Sequence, residues 1–160
     1  MKRFLLLLCF VVITALAAGP LMAQTNPFIG TWKLNVAKSK FEPGPAPKSQ
    51  TRTIVADGDG AKYSFEGVRA DGTAISYSFT VKYDGKDYPI TGSGAPGGAD
   101  SISIKRVGTN KAEAVLKKDG KEVGKSVVEV SKDGTVSTVK SKGKTPDGKD
   151  YSTDSVYDKQ

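Results

Sequence analysis

The 160-residue sequence has no histidine, one cysteine and one tryptophan. Without histidine there is no Ser-His-Asp triad, no imidazole metal ligand and no general base poised near neutral pH. The cysteine, Cys9, lies inside a leading apolar run, preceded by Leu8 where a lipid-modified cysteine needs a small residue. If that run is removed, no disulfide, thiol nucleophile or zinc-thiolate site remains. A Gly-rich phosphate loop is also missing. Asp57-Gly58-Asp59-Gly60 resembles the start of a calcium loop, but Val68 occupies the twelfth position, where a bidentate Glu is required. No metal, no cofactor and no enzymatic activity are therefore expected. Leucine is scarce too. Beyond residue 23 it occurs only at Leu34 and Leu116, and Val and Ile supply the aliphatic content. Branched side chains suit a pleated surface better than a helix.

The first residues have a different composition. Lys2 and Arg3 precede an apolar run from Phe4 to Ala18, broken only by Thr14, and Gly19-Pro20 and Leu21-Met22-Ala23 follow. This is the layout of a secretory signal peptide. The run is shorter than the roughly 20 residues of a membrane span. The expectation is a signal peptide over residues 1–23, cleaved after Ala23, with Ala17 and Ala18 as other possible sites and an uncleaved anchor as the competing reading. Residues 24–160 then form one periplasmic or secreted domain without an integral membrane span. Loss of Lys2 and Arg3 takes the net charge from +7 to +5. The remaining lysines, such as Lys82, Lys86, Lys118, Lys121, Lys132 and Lys149, are scattered through turns. Such scatter indicates a solvated face, and no nucleic-acid partner is expected.

The mature region is a series of short apolar-polar alternations separated by turns. Asp-Gly pairs fall at 57–58, 59–60, 71–72, 84–85, 119–120, 133–134 and 147–148. Asp-Gly is a preferred hairpin centre because both positions tolerate positive φ. Expected strands cover about 30–36, 49–56, 61–69, 73–83, 87–92, 100–108, 111–118, 121–131, 135–142 and 150–158. The fourth is the clearest, with Ile75, Tyr77, Phe79, Val81 and Tyr83 alternating with Ala74, Ser76, Ser78, Thr80 and Lys82. Two stretches read as loops. Residues 37–48 contain Pro43-Gly44-Pro45-Ala46-Pro47, and residues 93–99 are a flexible Gly-rich segment. No segment sustains a helical period. The predicted fold is all-β, an antiparallel up-and-down meander of about eight to ten strands closed into a small barrel, with a sandwich as competitor.

Phe28-Ile29-Gly30-Thr31-Trp32-Lys33-Leu34 opens this meander. Gly30-Thr31-Trp32 matches the G-x-W that opens lipocalin barrels, and the longer stretch resembles the opening strand of intracellular fatty-acid-binding proteins. The chain thus resembles the calycin superfamily. Tyr157-Asp158-Lys159 is similar to the end of the last strand in the fatty-acid-binding branch. Gly30 through Asn35 with Lys38-Ser39-Lys40-Phe41 is similar to uncharacterised secreted lipocalin-like proteins of bacteria. The resemblance implies a calycin-like barrel, with Gly30 and Trp32 as a plug at one end. Three departures are visible. The Pro-rich loop stands where that branch inserts two lid helices. Ser155 stands where it places a carboxylate-holding Arg. No Arg follows Arg106, so stacking over Trp32 falls to a Lys such as Lys159 or Lys142.

The remaining functional class is binding of a small apolar or amphipathic ligand. Arg52, in phase with Ile54, and Arg106, in phase with Ile102 and Ile104, are candidates to hold an anionic head group bidentately. Tyr63, Phe65, Tyr77, Phe79 and Tyr157 are candidates to line the apolar remainder. The alternative is a filled structural or interaction barrel of the cell envelope, its function residing in a surface loop such as Phe41 to Lys48. An enzyme acting on a bound lipid-like substrate is the third reading.

Overall fold

The computed structural model describes residues 26–160. The expected signal peptide, Cys9 and the cleavage site lie outside the described residues. Twelve strands form one antiparallel sheet. In chain order they are β1 (Gly30–Leu34), β2 (Lys40–Glu42), β3 (Ser49–Asp57), β4 (Gly60–Val68), β5 (Ala74–Val81), β6 (Asp84–Pro89), β7 (Thr91–Ser93), β8 (Ser101–Arg106), β9 (Lys111–Lys118), β10 (Lys121–Val130), β11 (Val136–Lys144) and β12 (Asp150–Lys159). The order across the sheet is β6-β8-β9-β10-β11-β12-β1-β3-β4-β5-β7, and β2 pairs with β12.

The first strand therefore sits mid-sheet, between the last strand and β3. Trp32 lies opposite Lys159 on one side and Arg52 on the other. This pairing turns the meander into a barrel and rules out a two-sheet sandwich. A single seam remains, because β5 pairs with β7, β6 pairs with β8, and β5 and β6 share no ladder. The barrel is thus nearly closed, with its unpaired edges limited to the seam.

The period-two pattern sets which face is inside. Ile75, Tyr77, Phe79 and Val81 of β5 are buried, while Ala74, Ser76 and Thr80 are exposed. Ile102 and Ile104 of β8, Ala112, Ala114 and Leu116 of β9, and Ile54 of β3 complete the same inner face.

Several local expectations need correction. Tyr83 does not extend the alternation of β5. It turns left-handed (φ 59°) just after the strand, and its ring packs 6.1 Å from that of Phe28. Among the Asp-Gly pairs, only Asp119-Gly120 has positive φ at both positions. Elsewhere the Asp acts through its carboxylate. Asp71 accepts from the Thr73 amide at 2.9 Å, and Asp133 from the Thr135 amide at 3.1 Å. The stretch 37–48 is not all loop. A short 3-10 turn at Val36–Lys38 leads into β2, whose Phe41 lies opposite Thr153. Ser39 secures this excursion, since its hydroxyl donates to the Asn35 carbonyl at 2.7 Å and accepts from the Val156 amide at 2.9 Å. The Gly-rich segment is seated rather than loose. Ala95 and Ala99 are buried, and a Cβ on Gly97 would lie 3.0 Å from Val123 Cγ2 and 2.9 Å from the Lys144 carbonyl oxygen.

Candidate functional site

Strand direction gives the barrel two unlike ends. β1, β4, β6, β9 and β11 start at one end, and the turns there bring Phe28, Trp32 and Tyr83 together. Trp32 is 0% exposed and its indole Nε1 donates to the Phe28 carbonyl at 2.9 Å. Lys159 Nζ lies 5.0 Å from the indole ring centroid. Gly30 makes this possible. It has φ +136°, and a Cβ there would fall 2.7 Å from Lys159 Cε. Of the two lysines the resemblance allows, Lys159 covers the tryptophan. Lys142 lies on the outer face, opposite Lys125 and Ser152.

Arg52 lies just inside this plug. It is 3% exposed, the only buried cationic side chain among the described residues. Its Nη2 donates to Ser137 Oγ at 2.8 Å, and its guanidinium carbon lies 4.7 Å from the Tyr157 ring centroid and 5.7 Å from that of Trp32. Its Nε has no hydrogen-bond partner. Among the described residues no carboxylate comes within ion-pair distance of it; the ion pairs present all involve lysines. Burial pushes the guanidinium's pKa down, opposed by nearby phenols, Tyr157 first among them. An arginine stays protonated regardless. The barrel thus encloses a positive charge with no negative partner. Tyr157 is oriented by its own bond, its hydroxyl donating to Gln50 Oε1 at 2.5 Å.

The two walls differ. On β4 and β5, Phe65 stacks on Tyr77 with centroids 4.5 Å apart, and Tyr63 stacks on Phe79 at 4.9 Å. Across the lumen, the inward positions of β10 and β11 are Gly124, Ser126 and Val128 facing Gly143, Ser141 and Val139. Ser126 and Ser141 hydrogen-bond each other at 2.8 Å. An aromatic face therefore opposes a wall of glycine, serine and valine. The outer surface of those strands carries a shallow groove of about 330 Å³, lined by Val127, Glu129, Val136 and Lys140 among others, which is separate from the lumen.

Of the residues expected at a site, Arg52, Tyr63, Phe65, Tyr77, Phe79 and Tyr157 come together on the inner face. Arg106 does not. β8 ends at Arg106, opposite Ala112, so this residue in phase with Ile104 sits at the rim. It is exposed, donates to Asn26 Oδ1 at 2.7 Å and stacks on Phe28 and Tyr83 from outside. Arg106 therefore does not join Arg52 on the inner face. Tyr63 is also partly occupied, its hydroxyl lying 2.8 Å from that of Tyr83. Ser137 and Gln50, which orient Arg52 and Tyr157, were not anticipated. Gln50 was detectable, since it is in phase with Arg52.

Among the described residues there is no group of three or more His, Cys, Asp or Glu side chains placed to hold a metal. Asp59 pairs with Lys82 at 3.1 Å, and Asp57 accepts from Thr80 at 3.4 Å. No described helix is long and apolar enough to cross a membrane.

The closing of a meander by its first and last strands around a buried tryptophan identifies the architecture. The fold is calycin-like. The chain is similar in structure to the zebrafish ileal bile acid-binding protein, crystallised with cholic acid, at a TM-score of 0.51 and 15% identity. The match covers 84% of this chain and 99% of that one. No protein-family model and no curated protein matches the sequence.

The burial of the calycin-like core has a measurable pH consequence. Burial pushes the phenols of Tyr63, Tyr77 and Tyr157 above the ordinary value of 10.0. Their folded pKa exceeds the unfolded one, so the stability they carry is fully present below pH 10. It is lost as pH rises further, because the unfolded chain releases protons that the native state retains. Urea melts between pH 8 and 12 are expected to show a plateau and then a decline above about pH 10. Absorbance at 295 nm should show the three phenols ionising only with unfolding. Reversible ionisation of all six tyrosines in the folded protein near pH 10 would contradict the buried assignment.

Proposed function

We propose that the barrel binds a small amphipathic anion, with its head group on Arg52 and its apolar body along the Phe65, Tyr77 and Phe79 wall. One observation carries this reading: a guanidinium 3% exposed, with a free Nε and no carboxylate partner among the described residues. A buried charge without a counter-charge is strongly disfavoured unless something supplies one. A ligand carboxylate or sulfonate would do so, and its charge-assisted bonds are the stronger kind. The zebrafish structure holds cholic acid, which supports an amphipathic ligand for a barrel of this shape. The resemblance to secreted bacterial lipocalin-like proteins and the signal-peptide layout of residues 1–23 support export to the periplasm or medium, with ligand carriage there. A filled barrel is the competing reading, favoured by the bonds that Ser137 and Gln50 already make inside.

Native mass spectrometry on protein purified from its own host tests both parts. A mass beginning at Gln24 is expected, together with a co-purifying small anion. An anionic naphthalenesulfonate dye is expected to bind with micromolar affinity and be displaced by alkyl carboxylates. No co-purifying molecule and no dye binding would establish the filled barrel instead, and a mass that retains residues 1–23 would refute the proposed cleavage.

A further inference from the structure

Two buried side-chain polar atoms lack a hydrogen-bond partner among the described residues, Arg52 Nε and Tyr151 Oη. The first belongs to the proposed head-group site. The second lies towards the opposite end of the lumen.

Tyr151 lies opposite Gly143 in the β11–β12 ladder, and Gly143 lies opposite Gly124 in the β10–β11 ladder. A Cβ on Gly143 would come 3.0 Å from Tyr151 Cε1, and one on Gly124 only 2.6 Å from Tyr151 Oη. The ring therefore crosses one glycine and places its hydroxyl over the other. That position is on the inner face, since the same Gly124 Cβ would lie 3.6 Å from Cδ1 of the buried Leu116. The glycine pair serves as a bed for this ring, and any other residue at Gly124 would clash with the hydroxyl. The neighbouring hydroxyls of Ser126 and Ser141 are bonded to each other. The Gly-rich segment packs through Gly97 on Val123 and the Lys144 carbonyl, the chain neighbours of Gly124 and Gly143. The Tyr151 side chain is half-buried, and its hydroxyl oxygen is buried without a partner among the described residues.

A phenylalanine would make the same packing without leaving a buried hydroxyl unsatisfied, which is unfavourable. The hydroxyl therefore points to a partner inside. Tyr151 and Tyr157 share one face of β12, and at about 3.3 Å per residue their backbones are on the order of 20 Å apart.

We infer that the ligand is polar at both ends: an anion at Arg52 and a hydroxyl or carbonyl group, remote from it, that hydrogen-bonds Tyr151 Oη. This rests on the carrier reading above and narrows its ligand class. A plain alkyl tail would leave the phenol unsatisfied, so Tyr151 acts as a specificity-determining residue.

The test compares hexadecanoate with 16-hydroxyhexadecanoate on the chain from residue 24 to 160, by calorimetry or dye displacement. The wild type is expected to bind the hydroxy acid roughly ten-fold more tightly, the size of one net hydrogen bond. Tyr151→Phe keeps the ring on its glycine bed and is expected to abolish that preference, by weakening the hydroxy acid alone. Equal affinity of the wild type for both acids would overturn the second pole while leaving the carrier reading intact. So would a preference that survives in Tyr151→Phe. Failure to bind either acid would overturn both.

Discussion

Arg52→Met with Ser137→Ala is expected to give a protein at least as stable as the wild type that binds anions far more weakly. The guanidinium is held by one hydrogen bond to Ser137 and by two aromatic faces at 4.7 and 5.7 Å. A hydrogen bond from a charged group contributes about 1.5–3 kcal/mol, and each cation–π contact about 0.5–2. Against this stands the desolvation of a full charge, several kcal/mol even after relaxation. A well-packed apolar replacement of a buried charge is commonly neutral or stabilising by about 1–4 kcal/mol. Arg52→Met alone orphans Ser137 Oγ, so Arg52→Met with Ser137→Ala is the cleaner comparison. Urea melts of the empty proteins should show the double variant at or above wild-type stability. Its affinity for an alkyl carboxylate should fall on the order of 10- to 100-fold, the loss of one charge-assisted bond. A loss of stability beyond about 3 kcal/mol, the penalty for breaking a needed buried pair, would show that Arg52 is structural. In that event the anion site would be refuted.

Trp32→Ala is expected to be the most damaging single substitution in the barrel. Truncating a fully buried tryptophan costs about 3–5 kcal/mol through lost burial and the cavity left behind. Here the loss also frees the Phe28 carbonyl and removes the ring that Arg52 and Lys159 share. Total stability for a domain of this size is about 5–15 kcal/mol, so the variant should unfold at much lower urea or express poorly. Trp32→Phe keeps most of the volume and should lose less. Because Trp32 is the chain's only tryptophan, native emission reports it alone and is expected to be blue-shifted and resistant to soluble quenchers. Red-shifted, freely quenched emission would contradict the plug.

How much of this was legible in the sequence varies from strand to strand, for a physical reason. β5 alternates large apolar with small polar residues, so its two faces were plain, and the closed sheet shows that the apolar one is inside. Arg52 was singled out because it is in phase with Ile54. Periodicity groups residues on one face and fails at the rim. Arg106 continues the inward phase of Ile102 and Ile104, yet a strand's phase says nothing of where the barrel ends. The wall of β10 and β11 was not legible. Its inner positions are Gly124, Ser126 and Val128 with Gly143, Ser141 and Val139, while Val127 and Val136 face outward. Hydrophobic alternation cannot locate an interior when valine falls on both faces and glycine and serine fill the rest. Tyr151 went unnoticed for that reason, since its importance depends on the two glycines beneath it. β2 was hidden by the neighbouring prolines. It survives because it is a short edge strand anchored by Ser39 and does not need a central strand's full ladder.

The pairing of β1 with β12 also sets an order of events. The strand bearing Trp32 is made well before its partner carrying Tyr157 and Lys159, since Trp32 pairs with Lys159, 127 residues further along the chain. Hairpins such as β3–β4 and β9–β10 have local partners and are available early. β1 has on its far side the last of the twelve described strands, so the cylinder cannot close until β12 has emerged. Contacts of such long sequence separation slow folding. A nascent chain built this way keeps its barrel open until the last of the described strands is made.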